Sequence, residues 1–192
     1  MSRLDAAFYF DLASPEAYLA AERVLQTLPG PCEWRPILAR RLPRAETFEG
    51  YRCAEEEAIF RAEVERRARD CGLQPVRWPD PFPFDSALAM RVATYARRIG
   101  RTVAFAQAAF RQAFAGGHAL SVGDHVLIAA AACEMHPTAV TRAAATRGIG
   151  EELERTTAAA LARGVTDVPA VVVGERVLVG ERNLERAGEL LR

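Results

Sequence analysis

Ser14 stands directly before Pro15. Serine is a favoured helix N-cap and proline is favoured at the first helical position, so the pair marks a helix start. A hydroxyl at that place has two uses. It can cap the helix, or it can donate a hydrogen bond to a ligand drawn by the unpaired backbone N–H groups and the positive end of the helix dipole. It is a poor nucleophile without an adjacent base, and none of His118, His125 and His136 is close to it in sequence. The four cysteines, Cys32, Cys53, Cys71 and Cys133, form no Cys-x-x-Cys pair, and no histidine joins them at metal-ligand spacing. A dithiol redox motif, a zinc knuckle and any bound metal are therefore not expected. The sequence also contains no lysine: all 25 basic residues are arginine, so chemistry that needs a lysine amine, such as a Schiff base, is excluded.

The elements that must position Ser14 are legible around it. Residues 7 to 12 are a short apolar, aromatic-rich run and predict a buried strand. The helix that starts at Ser14-Pro15 runs through Leu25 and stops at Pro29-Gly30-Pro31, and residues 32 to 38 predict a second strand. Strand, helix and strand in that order predict a right-handed parallel crossover. The middle of the chain differs. Helices are predicted over about 52 to 71, 86 to 99, 101 to 115, 124 to 134, 137 to 147 and 149 to 163, with a proline-rich, non-helical stretch over 74 to 84. No strand signal occurs between about residues 40 and 165. Val168 to Val173 is a β-branched run, Gly174-Glu175 a tight turn and Arg176 to Val179 a second short strand, which together predict a β-hairpin. Asn183 starts a terminal helix. The order β-α-β, helical block, β-β-α is the layout of a thioredoxin-like α/β fold carrying a large all-helical insertion. Residues 1–40 with 164–192 form the thioredoxin-like domain and 41–163 the inserted helical domain. In that layout the active site lies at the start of the first helix, where this chain places Ser14.

Composition bounds the function classes. The chain has 192 residues, half of them hydrophobic, and 25 basic residues balance 25 acidic ones. The apolar fraction supports a real core. Zero net charge argues against a nucleic-acid partner, since sequence-independent binding rests on a basic excess. No window approaches the ~20 apolar residues that span a bilayer. No secretory leader is read at the amino terminus, so a reduced, cytoplasmic protein without membrane partners is expected.

Phe8-Tyr9-Phe10-Asp11-Leu12-Ala13-Ser14-Pro15-Glu16-Ala17-Tyr18-Leu19-Ala20 resembles the opening of the 2-hydroxychromene-2-carboxylate isomerases and the kappa-class glutathione transferases. Gly164 to Val173, with Val168-Pro169 inside it, resembles their closing strand, and Asp85 to Arg91 the start of their central helices. The resemblance spans nearly the whole chain in segment order and spacing. DsbA-type oxidoreductases are broader relatives that share the inserted helices but keep a Cys-x-x-Cys at the helix start.

The resemblance implies glutathione as cofactor and Ser14 as the catalytic hydrogen-bond donor to its thiolate. The thiolate adds to a conjugated carbon of an aromatic-derived acid, the weakened double bond rotates, and elimination returns the thiol. It also implies a cis bond between Val168 and Pro169, with the Val168 N–H and C=O pairing with the cysteinyl backbone as a short added strand. The plainer reading of Pro169 is a trans proline that opens a strand. A homodimer is implied as well. The segment Gly180-Glu181-Arg182-Asn183 departs from the family's pattern, where an aspartate and an arginine bind the γ-glutamyl end. Arg182 stands where the aspartate is expected. Glu181 supplies the carboxylate from one position earlier, or Arg182 meets a ligand carboxylate as a planar bidentate partner; a solvated pair is the alternative for both. On the substrate side, the loop after the second strand lacks the lysine and asparagine that the family often places there; Arg40, Arg41 or Arg44 meets an acidic substrate instead, or the three are simply solvated. Asp85 is read as an N-cap and Tyr18 as core packing. The alternatives to an isomerase are a kappa-like glutathione transferase and a DsbA-like thioredoxin-fold binding module without a redox dithiol.

Overall fold

β1 (Ala6–Phe10) is the unbroken apolar run near the amino terminus, and all five of its residues are buried. The computed structural model describes residues 5–44, 50, 51 and 53–192; residues 45–49 of the arginine-bearing loop lie outside them. β1 runs parallel to β2 (Cys32–Pro36), with Ala6 opposite Cys32 and Phe10 opposite Pro36. On its other side it runs antiparallel to β3 (Ala170–Val173), with Tyr9 opposite Ala170. β3 folds back on β4 (Arg176–Val179) through the Gly174-Glu175 turn, so the mixed sheet has the order β2-β1-β3-β4. The parallel pairing of β1 with β2 and the β3–β4 hairpin are both as the sequence predicts.

The crossover helix is divided. α1 (Pro15–Ala21) and α2 (Val24–Thr27) replace the single helix read from the sequence. The break falls at Glu22-Arg23, where the Arg23 guanidinium turns to Glu181 and Glu185. Between β2 and β3 lie α3 (Ala54–Asp70), α4 (Ala87–Arg98), α5 (Thr102–Phe114), α6 (Gly123–Ala131), α7 (Pro137–Ala145) and α8 (Arg147–Ala162), with no strand among the described residues. A 3-10 turn (Glu181–Asn183) precedes α9 (Leu184–Leu190), so the last α-helix begins one residue later than the sequence suggests. α4 starts differently from the reading of Asp85 as its N-cap. Ser86 takes the cap position, while the Asp85 Oδ1 accepts the Ala87 N–H at 2.9 Å from one residue further out.

Sheet and helical block share one core. Phe8 and Phe10 meet Trp34 of β2 edge-on, and Phe10 packs against Phe110 of α5. Tyr18 is buried and stacks on Phe114 at 5.7 Å, which is the packing role expected of it. At the far end of the thioredoxin-like part, α9 lies so close to α2 that a Cβ on Gly188 would meet the Thr27 carbonyl oxygen at 2.7 Å. Gly188→Ala should therefore lose about 1 kcal/mol net, the overpacking outweighing the gain in helix propensity, and a melting curve reads the loss.

Candidate functional site

The register of the sheet decides what meets at its edge. Since Tyr9 faces Ala170, the chain leaving β1 (Asp11 to Ser14) and the chain entering β3 (Asp167 to Pro169) lie at the same edge. Ser14 is extended (φ −89, ψ 114) and 3% exposed. Its Oγ accepts the Ala17 N–H at 3.1 Å, the N-cap bond the sequence predicts. Its own O–H has no acceptor among the described residues. Capping uses a lone pair and leaves the donor, so the two uses of this hydroxyl are compatible.

Asp11 holds the turn that carries Ser14. Its backbone oxygen accepts the Ser14 N–H at 3.0 Å. Its carboxylate accepts the Ala13 N–H through Oδ1 and the Ala39 N–H through Oδ2, each at 2.9 Å, and it bonds the Ser86 hydroxyl at the start of α4. Burial pushes the Asp11 carboxyl up from the usual range, against those hydrogen bonds and the charge of Arg40.

Across the edge, the Val168–Pro169 bond is cis, as the resemblance implies. The Val168 N–H donates to the Asp167 Oδ1 at 2.7 Å. Burial pushes the Asp167 carboxyl up to about 6; its bond to the Val168 N–H and the charge of Arg44 oppose this, and the charge of Glu16 adds to it. The Pro169 carbonyl accepts the Gly180 N–H at 2.7 Å, which ties this edge to the segment carrying Glu181 and Arg182.

Those two residues are placed very differently. Glu181 is 5% exposed, its carboxylate bound by Arg23 and 3.9 Å from the Arg67 Nε. Arg67 in turn donates to Glu16 at 2.7 Å, so an ion-pair chain runs from the 3-10 turn to the first turn of α1. Arg182 is exposed and donates to Glu63 of α3 at 2.6 Å. Of the loop arginines, Arg40 donates to the Phe84 carbonyl at 3.4 Å, Arg41 pairs with Glu154, and the Arg44 N–H donates to the Thr166 carbonyl.

An aromatic wall stands on the helical side. Arg61 of α3 lies over the Trp78 ring at 4.9 Å and the Phe82 ring at 5.6 Å, with Tyr51 against Phe60 and Phe82. The Tyr51 hydroxyl and the Arg61 Nε are buried without a partner among the described residues. Burial pushes the Tyr51 hydroxyl up, as does the charge of Glu57 and, less strongly, that of Glu16, which links the wall to the α1 terminus.

No cysteine lies at the start of α1, all four are free, and burial pushes Cys32 up to about 12. Among the described residues no cluster of three or more His, Cys, Asp or Glu is placed to hold a metal. His136 caps α7 through Nδ1, 3.3 Å from the Thr138 N–H. No helix among the described residues is long and apolar enough to cross a membrane. Asp11, Asp167, Glu16 and Arg67 stand at this candidate site, and sequence reasoning did not single them out. The available signal was a lone aspartate closing an apolar run in one case, and one directly before Val-Pro in another.

A thioredoxin-type sheet, a helix terminus beside a cis-proline edge and a serine in place of a reactive thiol define a thioredoxin-fold protein without a redox dithiol at that terminus. The chain belongs to the DSBA-like thioredoxin domain family, whose model matches residues 6–192. No curated protein matches it in sequence. Among solved structures it is similar to a 2-hydroxychromene-2-carboxylate isomerase, at TM-score 0.82 and 19% identity over 96% of this chain and 92% of that one. It is similar to a probable DsbA oxidoreductase from Streptomyces coelicolor, at TM-score 0.78 and 19% identity over 98% and 88%. A third likeness is to the cytosolic disulfide reductase DsbM from Pseudomonas aeruginosa, solved with GSH, at TM-score 0.67 and 13% identity over 98% and 96%. At these identities the likeness shows the fold.

Proposed function

We propose that this protein is a glutathione-dependent cis–trans isomerase acting on an aromatic-derived acid. The observation that carries the reading is the Ser14 hydroxyl: nearly buried at the start of α1, already capping the helix, with its proton uncommitted. Placed there, it donates to an incoming sulfur, and the positive end of the helix dipole adds to the stabilisation of a negative charge. Burial strengthens each of these terms, since little water competes for the donor. Val168, directly before the cis-Pro169 at the facing edge, carries the N–H and C=O of the kind an extended ligand strand pairs with. Bound glutathione would supply a nucleophilic thiolate able to add reversibly to a conjugated carbon. The aromatic wall of Trp78, Phe82 and Tyr51 suits a flat aromatic substrate; the Arg61 guanidinium over it is paired with Glu57 of the same helix. The fit is weaker at the γ-glutamyl end, because the Glu181 carboxylate is already bound by Arg23.

Isothermal calorimetry with millimolar glutathione tests the reading. The wild type should bind, and Ser14→Ala should bind at least about tenfold more weakly, the scale of one lost charge-assisted hydrogen bond. Equal binding by both proteins, or none by either, sinks the assignment. The occupied Glu181 also favours a second reading, a binding module that has lost its dithiol. Inertness toward a panel of thiols and enones would support it. A kappa-like transferase would instead leave the tripeptide on the product, which mass spectrometry reads directly.

A further inference from the structure

Asp167 is half-buried where the chain enters β3, and its Oδ1 sits 2.7 Å from the Val168 N–H. That N–H is the donor which the reading above gives to the ligand's backbone, and the inference here rests on that reading. Two other charged groups face the Asp167 carboxylate. Glu16, from the first turn of α1, is committed to Arg67 at 2.7 Å. Arg44, from the loop after β2, is exposed, and its backbone N–H is fixed to the Thr166 carbonyl at 3.2 Å. Neither displaces Asp167 from Val168. A backbone N–H that already bears a carboxylate offers little to a second acceptor, and the charged acceptor is the stronger competitor.

We propose that the Asp167 carboxylate is a built-in competitor for the Val168 N–H, so that a peptide-like thiol adds to this edge only by displacing it, and that protonation of Asp167 frees the edge. A neutral carboxyl group is a weaker acceptor and can turn away without leaving a buried charge unpaired. Burial brings that protonation to about 6, above the usual carboxylate range and within reach of a folded protein. Asp167 thereby decides how strongly an extended thiol is held and makes that strength depend on pH, separately from Ser14, which acts on the sulfur.

The test is calorimetry with glutathione on wild type, Asp167→Ala, Asp167→Asn, Ser14→Ala and the Ser14→Ala/Asp167→Ala double variant. It is run near pH 7.5 and near pH 5, values that bracket the titration. Affinities are compared as variant-to-wild-type ratios at each pH, so that ionisation of the tripeptide itself cancels. Asp167→Ala should bind about tenfold more tightly than wild type near pH 7.5, with the gap closing near pH 5. Asp167→Asn keeps an acceptor but no charge and should fall between the two; it also decides the matter if the alanine variant does not fold. Binding that needs Ser14 but is indifferent to Asp167, or that weakens in Asp167→Ala, overturns this inference and leaves the thiol-site reading standing. Absence of binding by wild type and both Asp167 variants overturns both. Binding that emerges only when Asp167 is removed, and only while Ser14 is present, supports the competitor role of Asp167 but overturns glutathione as the cofactor of the wild-type protein.

Discussion

Replacing Asp11 with alanine should lower the unfolding free energy by about 3–4 kcal/mol, measured by chemical denaturation near neutral pH. Asp11 is 1% exposed, and its two oxygens hold the Ala13 and Ala39 N–H groups at 2.9 Å each. Alanine leaves both donors buried without an acceptor, at about 1–3 kcal/mol each, and relief of the carboxylate's own desolvation offsets part of the loss. The Ser86 hydroxyl loses its partner as well, which loosens the start of α4. Asparagine keeps one acceptor oxygen but turns an NH2 group toward the second N–H, so Asp11→Asn should recover less than half of the loss.

The pH dependence of the Asp11 effect has a definite sign. Burial raises the carboxyl's folded-state pKa above its unfolded value. The folded state therefore holds this proton more tightly, and the linkage contribution is fully present below the unfolded pKa and is lost as pH rises through the folded one. The stability gap between wild type and Asp11→Ala should be widest in acid and narrow toward neutrality. A gap that widens with pH would show that hydrogen bonds to the ionised form outweigh burial.

Asp11 also shows where reading the chain alone stops. Its strand and the helix after it were legible, because an apolar run and a Ser-Pro pair are local signals. The β3–β4 hairpin was legible for the same reason: a β-branched run, a Gly-Glu turn and a second short strand stand side by side in sequence. The roles of Asp11 depend on Ala39 and Ser86, which only the folded chain brings to it. The Arg23–Glu181 pair was likewise invisible, since its members stand 158 positions apart. Ser14 lies between these cases. Its capping bond follows from its neighbours, whereas its uncommitted proton is a property of the whole site, known only once nothing nearby is seen to accept it.

Glu181→Ala should destabilise the fold by about 2–3 kcal/mol, the second large effect, and the result bears on what this residue is for. Glu181 is 5% exposed, while its partners Arg23 and Arg67 keep 21% and 12% of their side-chain surfaces. Removing Glu181 takes one carboxylate from two partly buried arginines; their partial exposure and remaining partners place the loss below the ~3–5 kcal/mol of a fully buried pair. Arg23 retains Glu185 and Arg67 retains Glu16, so both arginines keep a carboxylate and the site edge is not abandoned. Glu181→Gln keeps an acceptor for Arg23 and should fall midway. A double-mutant cycle with Arg23→Ala isolates the pair, with a coupling of at least about 1 kcal/mol expected. A carboxylate reserved for a ligand's amino group would behave in the opposite way, with stability nearly unchanged on substitution and thiol affinity reduced. Measured together, the denaturation midpoint and the glutathione affinity of Glu181→Gln separate the two roles. A shifted midpoint with unchanged affinity assigns Glu181 to the ion-pair chain, and the γ-glutamyl end of any bound thiol must then be met by other groups.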